Sequence, residues 1–476
     1  MTHFNLVRDP WIPVRYLDSS SKLVSLERLF KDCAFIADLD CQAHERISLI
    51  RLLVCITQSE LGAPDSPEDW GDFGSDLESR VVAYLKRPDI QPHFNLFGDG
   101  SRFLQGIVNE NEKSYLATQM VFYFATGNSP TLLDHSGGTD RVLTCDFLAR
   151  TLLAYQNFFV GGSMASKVKG NGPSLKFLHA FVFGKNLKKS ILLNCLDAET
   201  LADSGINMGR PIWENNSQAS TSTYLGRLVP FSCKVRLHTN RIHVWIEDGL
   251  AYPEFPESRE PAATIGTKGD QRFLLNADLG KGIWKDLHVV LNVQRSGANT
   301  LASPLCLRSH LGELEEGELQ LWLAELCKHP KKAFIIDLLE SHLSVPVSLL
   351  NDRGRAHYER GITFADIQSN QLYGAVKQNG VALKNENPPT DEAKKQFWHA
   401  LEAQCSVLLQ IAGTPDILNG LSFGEGHDDW TVAVRRAAKE AYDHVCPRQT
   451  PRQMQAYAAG LKVLFPKPKK KKAATT

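Results

Sequence analysis

No run of apolar residues in this sequence approaches the roughly 18 that a membrane-spanning helix needs, which excludes a helical integral membrane protein. The first residues, Asn5 and Arg8 among them, hold no apolar signal core, so a soluble, cytoplasmic protein without a membrane partner is expected. Paired cysteines are missing as well. Ten cysteines are spread singly, none at CxxC spacing, which argues against a zinc finger or a disulfide frame. Cys55, within Leu53-Val54-Cys55-Ile56, and Cys195, within Leu193-Asn194-Cys195-Leu196, have the apolar neighbours of reduced core thiols. There is no GxxxxGK[ST] loop, no GxGxxG after a strand, no HExxH and no GxSxG. With those motifs absent, no catalytic residue, cofactor or metal is expected.

The most informative absence is acid. From Phe147 to Leu196 the chain runs 50 residues without Asp or Glu, while carrying Arg150, Lys167, Lys169, Lys176, Lys185, Lys188 and Lys189. With 53 acids in 476 residues, such a window should hold roughly five or six carboxylates. A second acid-free run, residues 215–246, carries Arg227, Lys234, Arg236 and Arg241. Scattered solvated faces would explain either run alone; together they predict a basic surface. Gly161-Gly162 and Gly170-Asn171-Gly172 bracket two of the lysines, and glycine lets a backbone approach a polyanion closely. Phosphate is the expected partner of that region.

The whole chain is neutral, 53 bases against 53 acids, so nucleic-acid binding must be driven by a patch and shared with partners. At 476 residues and 43% hydrophobic composition it can bury large cores in two to four domains. The pattern predicts an α+β fold: a large mixed body over 1–347, then an antiparallel four-helix bundle over 348–466, then a basic disordered tail over 467–476. In the body, apolar spacing predicts a helix reaching about Leu61, and another after Thr144 that stops at Gly161-Gly162 as its cap. Strands are expected at 177–183, 189–193, 224–228, 233–238, 242–246 and 288–293, without a βαβ rhythm. Helix-like stretches at 318–327 and 334–343 flank the loop Lys328-His329-Pro330-Lys331-Lys332-Ala333. The bundle helices are expected at 356–377, 391–411, 430–445 and 451–465. Asp428 or Asp429 caps the third, and Thr450 with Gln453 makes a capping box for the fourth.

Two clusters offer alternative chemistry. Gly426-His427-Asp428-Asp429 resembles part of a metal-dependent nuclease or phosphohydrolase site, but it lacks upstream ligands and precedes a helix that its carboxylates can cap. The loop of residues 328–333 brings three lysines and a proline to one protrusion, which suits a wedge or clamp against a phosphate backbone as well as a solvated turn.

Several short motifs occur in an order that resembles one family. They are Asp9-Pro10-Trp11-Ile12-Pro13-Val14, Leu52-Leu53-Val54-Cys55-Ile56, Phe94-Asn95-Leu96-Phe97, Phe103-Leu104-Gln105, Thr126-Gly127-Asn128 and Thr131-Leu132-Leu133-Asp134-His135. Further on come Pro211-Ile212-Trp213-Glu214, Tyr224-Leu225-Gly226-Arg227-Leu228, Arg435-Arg436-Ala437-Ala438 and Thr450-Pro451-Arg452-Gln453. The series resembles the CasA large subunit of the type I-E CRISPR Cascade complex over nearly the whole chain.

That resemblance implies a non-enzymatic subunit whose partners are crRNA, the other Cascade subunits, double-stranded target DNA and a helicase-nuclease effector. It implies recognition of a protospacer-adjacent motif and help in opening the duplex. The family's glycine loop maps onto Gly161, Gly162 and Ser163, with Lys167 and Lys169 beside it. Its wedge maps onto Lys331, Lys332 and Ala333, where the family commonly carries a polar residue, Gln and Ala. A lysine is a mobile point charge where a glutamine amide would exchange paired bonds with base edges, so looser motif reading is expected here. Arg241 or Lys234 is expected to supply a basic finger. Thr126, Gly127, Asn128, Asp134 and His135 resemble the loop that docks the subunit to its neighbours and the crRNA handle. Minor-groove edges mainly separate A·T from G·C, so such a reader tolerates several motifs and leaves fidelity to guide pairing.

Overall fold

The computed structural model describes residues 3–65, 69–124, 140–164, 168–255, 257, 259–279, 281–293, 303–310, 317–414, 423–424 and 428–466. The chain divides into two compact units. The first comprises Met1–Ala277, Val293–Glu315 and Leu319–Leu343; the second comprises Asp278–Asn292, Glu316–Glu318 and Ser344–Thr476. The fold is mixed α+β, and every strand pairing whose register is defined is antiparallel.

The first unit is built around the helix Ala43–Leu61, whose residues 43–58 are all buried. Its sequence suggests an apolar and a polar side, yet Ser48 and Arg51 are as buried as the leucines. Arg51 is tolerated there because three polar groups receive its donors: Glu260 at 3.0 Å, the Arg227 carbonyl at 2.6 Å and the Leu228 carbonyl at 3.1 Å. Arg46 is accommodated differently, with its guanidinium 4.6 Å and 4.5 Å from the Phe183 and Trp322 ring centroids and paired to Asp38. The helix Cys145–Phe158 packs on this core helix and leads into the glycine-rich segment.

Three small sheets and two further strand pairs surround these helices among the described residues. Ser21–Val24, Ile12–Tyr16 and Ile36–Leu39 form an N-terminal sheet in that order. Cys233–Leu237 pairs with His243–Asp248, and Ile265–Lys268 with Gln271–Leu274. The two stretches read as helices, 318–327 and 334–343, are instead the strands Glu318–Lys328 and Ile335–Pro346. They form a long hairpin whose first strand also pairs with His179–Phe183. Leu, Ala and Glu are good helix formers, but the first strand buries Leu321, Leu323 and Cys327 together with Trp322, Ala324 and Leu326, as a strand covered on both faces does.

Three strand expectations fail in the opposite direction. Residues 187–193, 224–228 and 287–290 are short helices, Leu187–Leu193, Tyr224–Leu228 and Leu287–Val290. The first two are started by side-chain caps: Asn186 accepts from the Lys189 amide and Thr223 from the Gly226 amide. Such a cap satisfies an orphan donor and outweighs the β preference of the apolar residues that follow.

In the second unit the long helix Asp352–Leu383 is capped by Asn351 and packs against Thr390–Glu402, Cys405–Gly413, Asp429–Val445 and Pro451–Leu464. The expected helix over 391–411 is broken at Ala403 and Gln404, both sound helix formers. The break is a tertiary choice, because Cys405–Gly413 seats Leu408 closely on Gly361. Trp284 joins this unit's core, 6.1 Å from Trp398 and 5.9 Å from Trp430, so residues well before 344 belong to it. Asp428 caps its helix by accepting from the Thr431 amide at 2.7 Å, and the Thr450–Gln453 capping box is formed. All ten cysteines are free thiols. Among the described residues, no helix is long and apolar enough to cross a membrane.

Candidate nucleic-acid interface

The helix before the glycine loop ends earlier than its sequence suggests. Its C-cap is Phe159, not Gly161-Gly162, so the glycines serve another purpose. A Cβ on Gly161 would lie 2.3 Å from the Gly170 carbonyl oxygen and 2.4 Å from that of Lys169. Two backbones therefore cross in contact, and no side chain fits between them. The Gly161 amide donates to Asn171 Oδ1 at 3.2 Å, the Gly162 amide to the Val168 carbonyl at 2.8 Å, and the Gly172 amide to the Phe159 carbonyl at 2.7 Å. Ser163 bonds back to the Val160 carbonyl through its hydroxyl at 2.6 Å. The loop is thus closed at its neck, with Gly162, Ser163, Lys169 and Gly170 exposed. Lys167 lies outside the described residues.

This loop opens onto a cleft of about 550 Å³. Lys169 to Gly172 form one wall, Arg272, Phe273 and Leu274 another, and Tyr252 to Phe255 a third. Lys169, Lys176 and Arg272 are exposed at its edges. Glu260 also lines it but adds no free negative charge: Arg51 holds it at 3.0 Å and Arg227 at 2.7 Å, a buried group with net charge of plus one. Burial by itself would push the Glu260 carboxyl up; the Arg51 and Arg227 guanidiniums outweigh it and hold the carboxyl below its ordinary range.

The wall carrying Arg272 is a hairpin that the sequence reading missed. Lys268 pairs with Gln271 across a two-residue turn in which Gly269 has a φ of 60°. Gly-Asp between two short extended runs is the signal that would have found it, since a type II′ turn places glycine first. Arg272, paired with Thr267, lies on the face of the hairpin opposite to Lys268, and both are exposed.

The two expected finger residues are not brought together. Lys234 pairs with Glu247 in the strand pair Cys233–Leu237 and His243–Asp248, next to Asp248, whose carboxylate accepts the Lys169 amide at 3.2 Å. Lys234 is therefore near the glycine loop, its stem over Gly106. Arg241 occupies the turn at the opposite end of this pair, roughly 20 Å of strand away. The long hairpin, by contrast, passes beside the cleft: Glu325 of its first strand accepts the amide of Ala277, the residue after the lining residue Asn276, at 2.6 Å. Burial and the nearby charge of Lys176 lower the pKa of Lys328, at the foot of the tip. Beyond it Lys331 and Lys332 are exposed and Ala333 half-buried.

The basic surface expected from the two acid-free runs is only partly assembled. Arg150 pairs with Glu45 and Asp146, Lys188 with Glu78, Arg236 with Glu110 and Arg227 with Glu260. Acids that, Asp146 apart, are distant in sequence thus neutralise these four of the eleven bases in the two runs. Thr126, Gly127, Asn128, Asp134, His135 and His427 lie outside the described residues. Asp428 spends one carboxylate oxygen on its cap, and among the described residues no group of three or more His, Cys, Asp or Glu side chains could hold a metal ion.

The sequence matches the family model for CRISPR-associated protein Cse1 over residues 5–441. A relative from Thermus thermophilus, the CRISPR-associated protein CasA/Cse1, is 24% identical over 480 residues, covering 92% of this chain and 91% of the relative. A crystal structure of CasA from Thermus thermophilus superimposes with a TM-score of 0.78 at 19% identity, covering 97% of this chain and 98% of that one. A chain of a CRISPR RNA-guided surveillance complex superimposes with a TM-score of 0.76 at 18% identity, covering 98% and 100%.

Proposed function

The chain belongs to the CRISPR-associated Cse1 family, and from that premise we propose that it is the non-catalytic large subunit of an RNA-guided surveillance complex of the Cascade type. In this reading it recognises a short motif flanking the target in duplex DNA, promotes strand opening and helps recruit a helicase-nuclease. The observation that carries the reading is the shared cleft. A closed glycine loop and a small hairpin carrying Arg272 line it from distant parts of the sequence, and Glu325 of the long hairpin accepts the amide of Ala277, the residue after the lining residue Asn276.

The chemistry suits a minor groove. Gly162 and Gly170 present backbone without side chains, so the duplex can come close. Lys169, Lys176 and Arg272 supply positive charge for phosphates and groove acceptors. Lys331 and Lys332 stand at the end of the long hairpin as the wedge, and Lys234 rather than Arg241 is placed to add charge beside the glycine loop. Insertion of a wedge costs a few kcal/mol of unstacking, offset by backbone contacts. The neutral chain takes the rest of the positive charge from its fellow subunits in a soluble, cytoplasmic assembly. Thr126 to Asn128, with Asp134 and His135, dock it to those subunits and the crRNA handle, and the C-terminal helices act as a four-helix bundle in which Thr390–Glu402 and Cys405–Gly413 together take one helix's place.

The test is an electrophoretic shift of crRNA complex, reconstituted with and without this chain, on guide-matched duplexes with randomised flanking bases. A shift that depends on both the chain and the flank is expected. Binding indifferent to the chain would remove the large-subunit reading. Cleavage of DNA by the purified chain with Mg²⁺ or Mn²⁺ would instead favour the metal-dependent nuclease built on His427, Asp428 and Asp429.

A further inference from the structure

The tip of the long hairpin is organised by one side chain. Its backbone closure is the His329 amide donating to the Phe334 carbonyl at 2.9 Å. Between those residues the amides of Lys331 and Lys332 both donate to His329 Nδ1, each at 3.1 Å. Nδ1 can accept them only from a neutral ring with its proton on Nε2. The imidazole is packed against Phe334, ring centroids 4.9 Å apart, and the Lys332 ammonium lies 5.9 Å over that same ring. Pro330 supports the arrangement twice. It restricts His329 to extended backbone, and it brings no amide of its own into the turn.

This is the bonding of an Asx turn, with a side-chain acceptor taking amides two and three residues on, made by a histidine. A charged loop of this length would otherwise sample many backbone states. We propose that His329 is the positioning residue of the wedge: by accepting both amides it holds Lys331 and Lys332 as a pre-formed pair of cations facing the duplex. The proposal rests on the reading that this tip meets DNA. It adds a residue that touches no DNA itself and sets the affinity of two lysines that do.

His329→Asn, His329→Gln and His329→Ala separate this role from simple surface packing. Asparagine Oδ1 stands where Nδ1 stands, so it keeps the acceptor; the glutamine oxygen is one bond further out, and alanine has none. Each full-length variant is examined by hydrogen–deuterium exchange of peptides covering 328–334, and within the reconstituted complex for binding to matched duplex over a salt series. Exchange at the tip should rise in the alanine and glutamine variants and stay near wild type in the asparagine variant. Duplex affinity should fall about three- to tenfold in the first two, since two side chains must then be ordered on binding. The salt slope should stay unchanged because both lysines remain, whereas Lys332→Ala should flatten it.

Wild-type exchange in His329→Ala, or an asparagine variant as impaired as alanine, would overturn the positioning role. If exchange follows the expected pattern but neither His329→Ala nor Lys332→Ala alters duplex binding, the placement of this tip on DNA is overturned.

Discussion

The glycine loop and the tip of the long hairpin are both lysine-bearing ends that the proposed function sets to the same task, but they are held in opposite ways. The loop is held by contacts of backbone on backbone: Gly161 lies so close to Lys169 and Gly170 that a Cβ would overlap their carbonyls, and buried charges brace the cleft it opens onto. The tip is held by a single imidazole on exposed chain. A backbone crossing tolerates no side chain, whereas a side-chain brace can be exchanged for any group with an acceptor in the same place. Substitution should therefore be far more damaging around the loop than at the tip.

The largest effect is expected beneath the cleft. Glu260→Ala leaves the guanidiniums of Arg51 and Arg227 buried against each other without their shared anion, a loss of about 3–5 kcal/mol. Urea denaturation would measure it. A loss below about 1 kcal/mol would mean that the loop side is no better braced than the tip. Next comes Gly161→Ala, whose methyl would force the two crossing backbones apart at a cost of about 1–3 kcal/mol. It should also weaken duplex binding by the reconstituted complex. A variant with wild-type melting temperature and wild-type binding would break the comparison at its main point.

Glu325 sharpens it on the hairpin side. Burial pushes this carboxyl up to about 7, although the Ala277 amide, donating to it at 2.6 Å, offsets part of the rise. An unfolded glutamate titrates near its ordinary 4.5, so the folded form holds the proton more tightly. Stability is then lost as pH rises from about 4.5 to about 7, and the loss is complete above that. Glu325→Gln should stabilise the protein at pH 8 by on the order of 1–3 kcal/mol and by little at about pH 5, as read by thermal melting at the two pH values. Equal shifts at both would refute the assignment. The smallest effect is at the tip itself. Lys332→Ala should leave melting unchanged, lower duplex affinity and reduce the salt slope by about 0.9 for one lost phosphate contact. An unaltered slope would remove Lys332 from the interface.

Much of this architecture can be read along the chain because its causes are local. The helix after Thr144, the Asp428 cap and the Thr450–Gln453 box depend on residues within a few positions of each other. The acid-free run pointed to this loop for a reason that only half holds: Lys169 and Lys176 are exposed at the cleft, while Arg150 and Lys188 are matched by acids outside the run. The long hairpin was misread because Leu, Ala, Glu and Trp suit a helix as well as a strand buried on both faces, and the partner that decides, His179–Phe183, is some 140 residues away. The lysine-tipped small hairpin carried a legible Gly269-Asp270 turn; its link to the glycine loop did not.

By itself the sequence determined a mixed α+β chain with a helical C-terminal region, capped helix starts, reduced thiols and a glycine loop flanked by lysines, since periodicity, capping and local charge act over a few residues. Only the tertiary structure decided which bases stay exposed, that Arg51 and Arg227 are buried on Glu260, and that the glycine loop and the small hairpin share one cleft. Those outcomes depend on which distant carboxylate or strand arrives within a few ångströms, and Coulomb attraction and backbone pairing register that distance rather than the number of residues between.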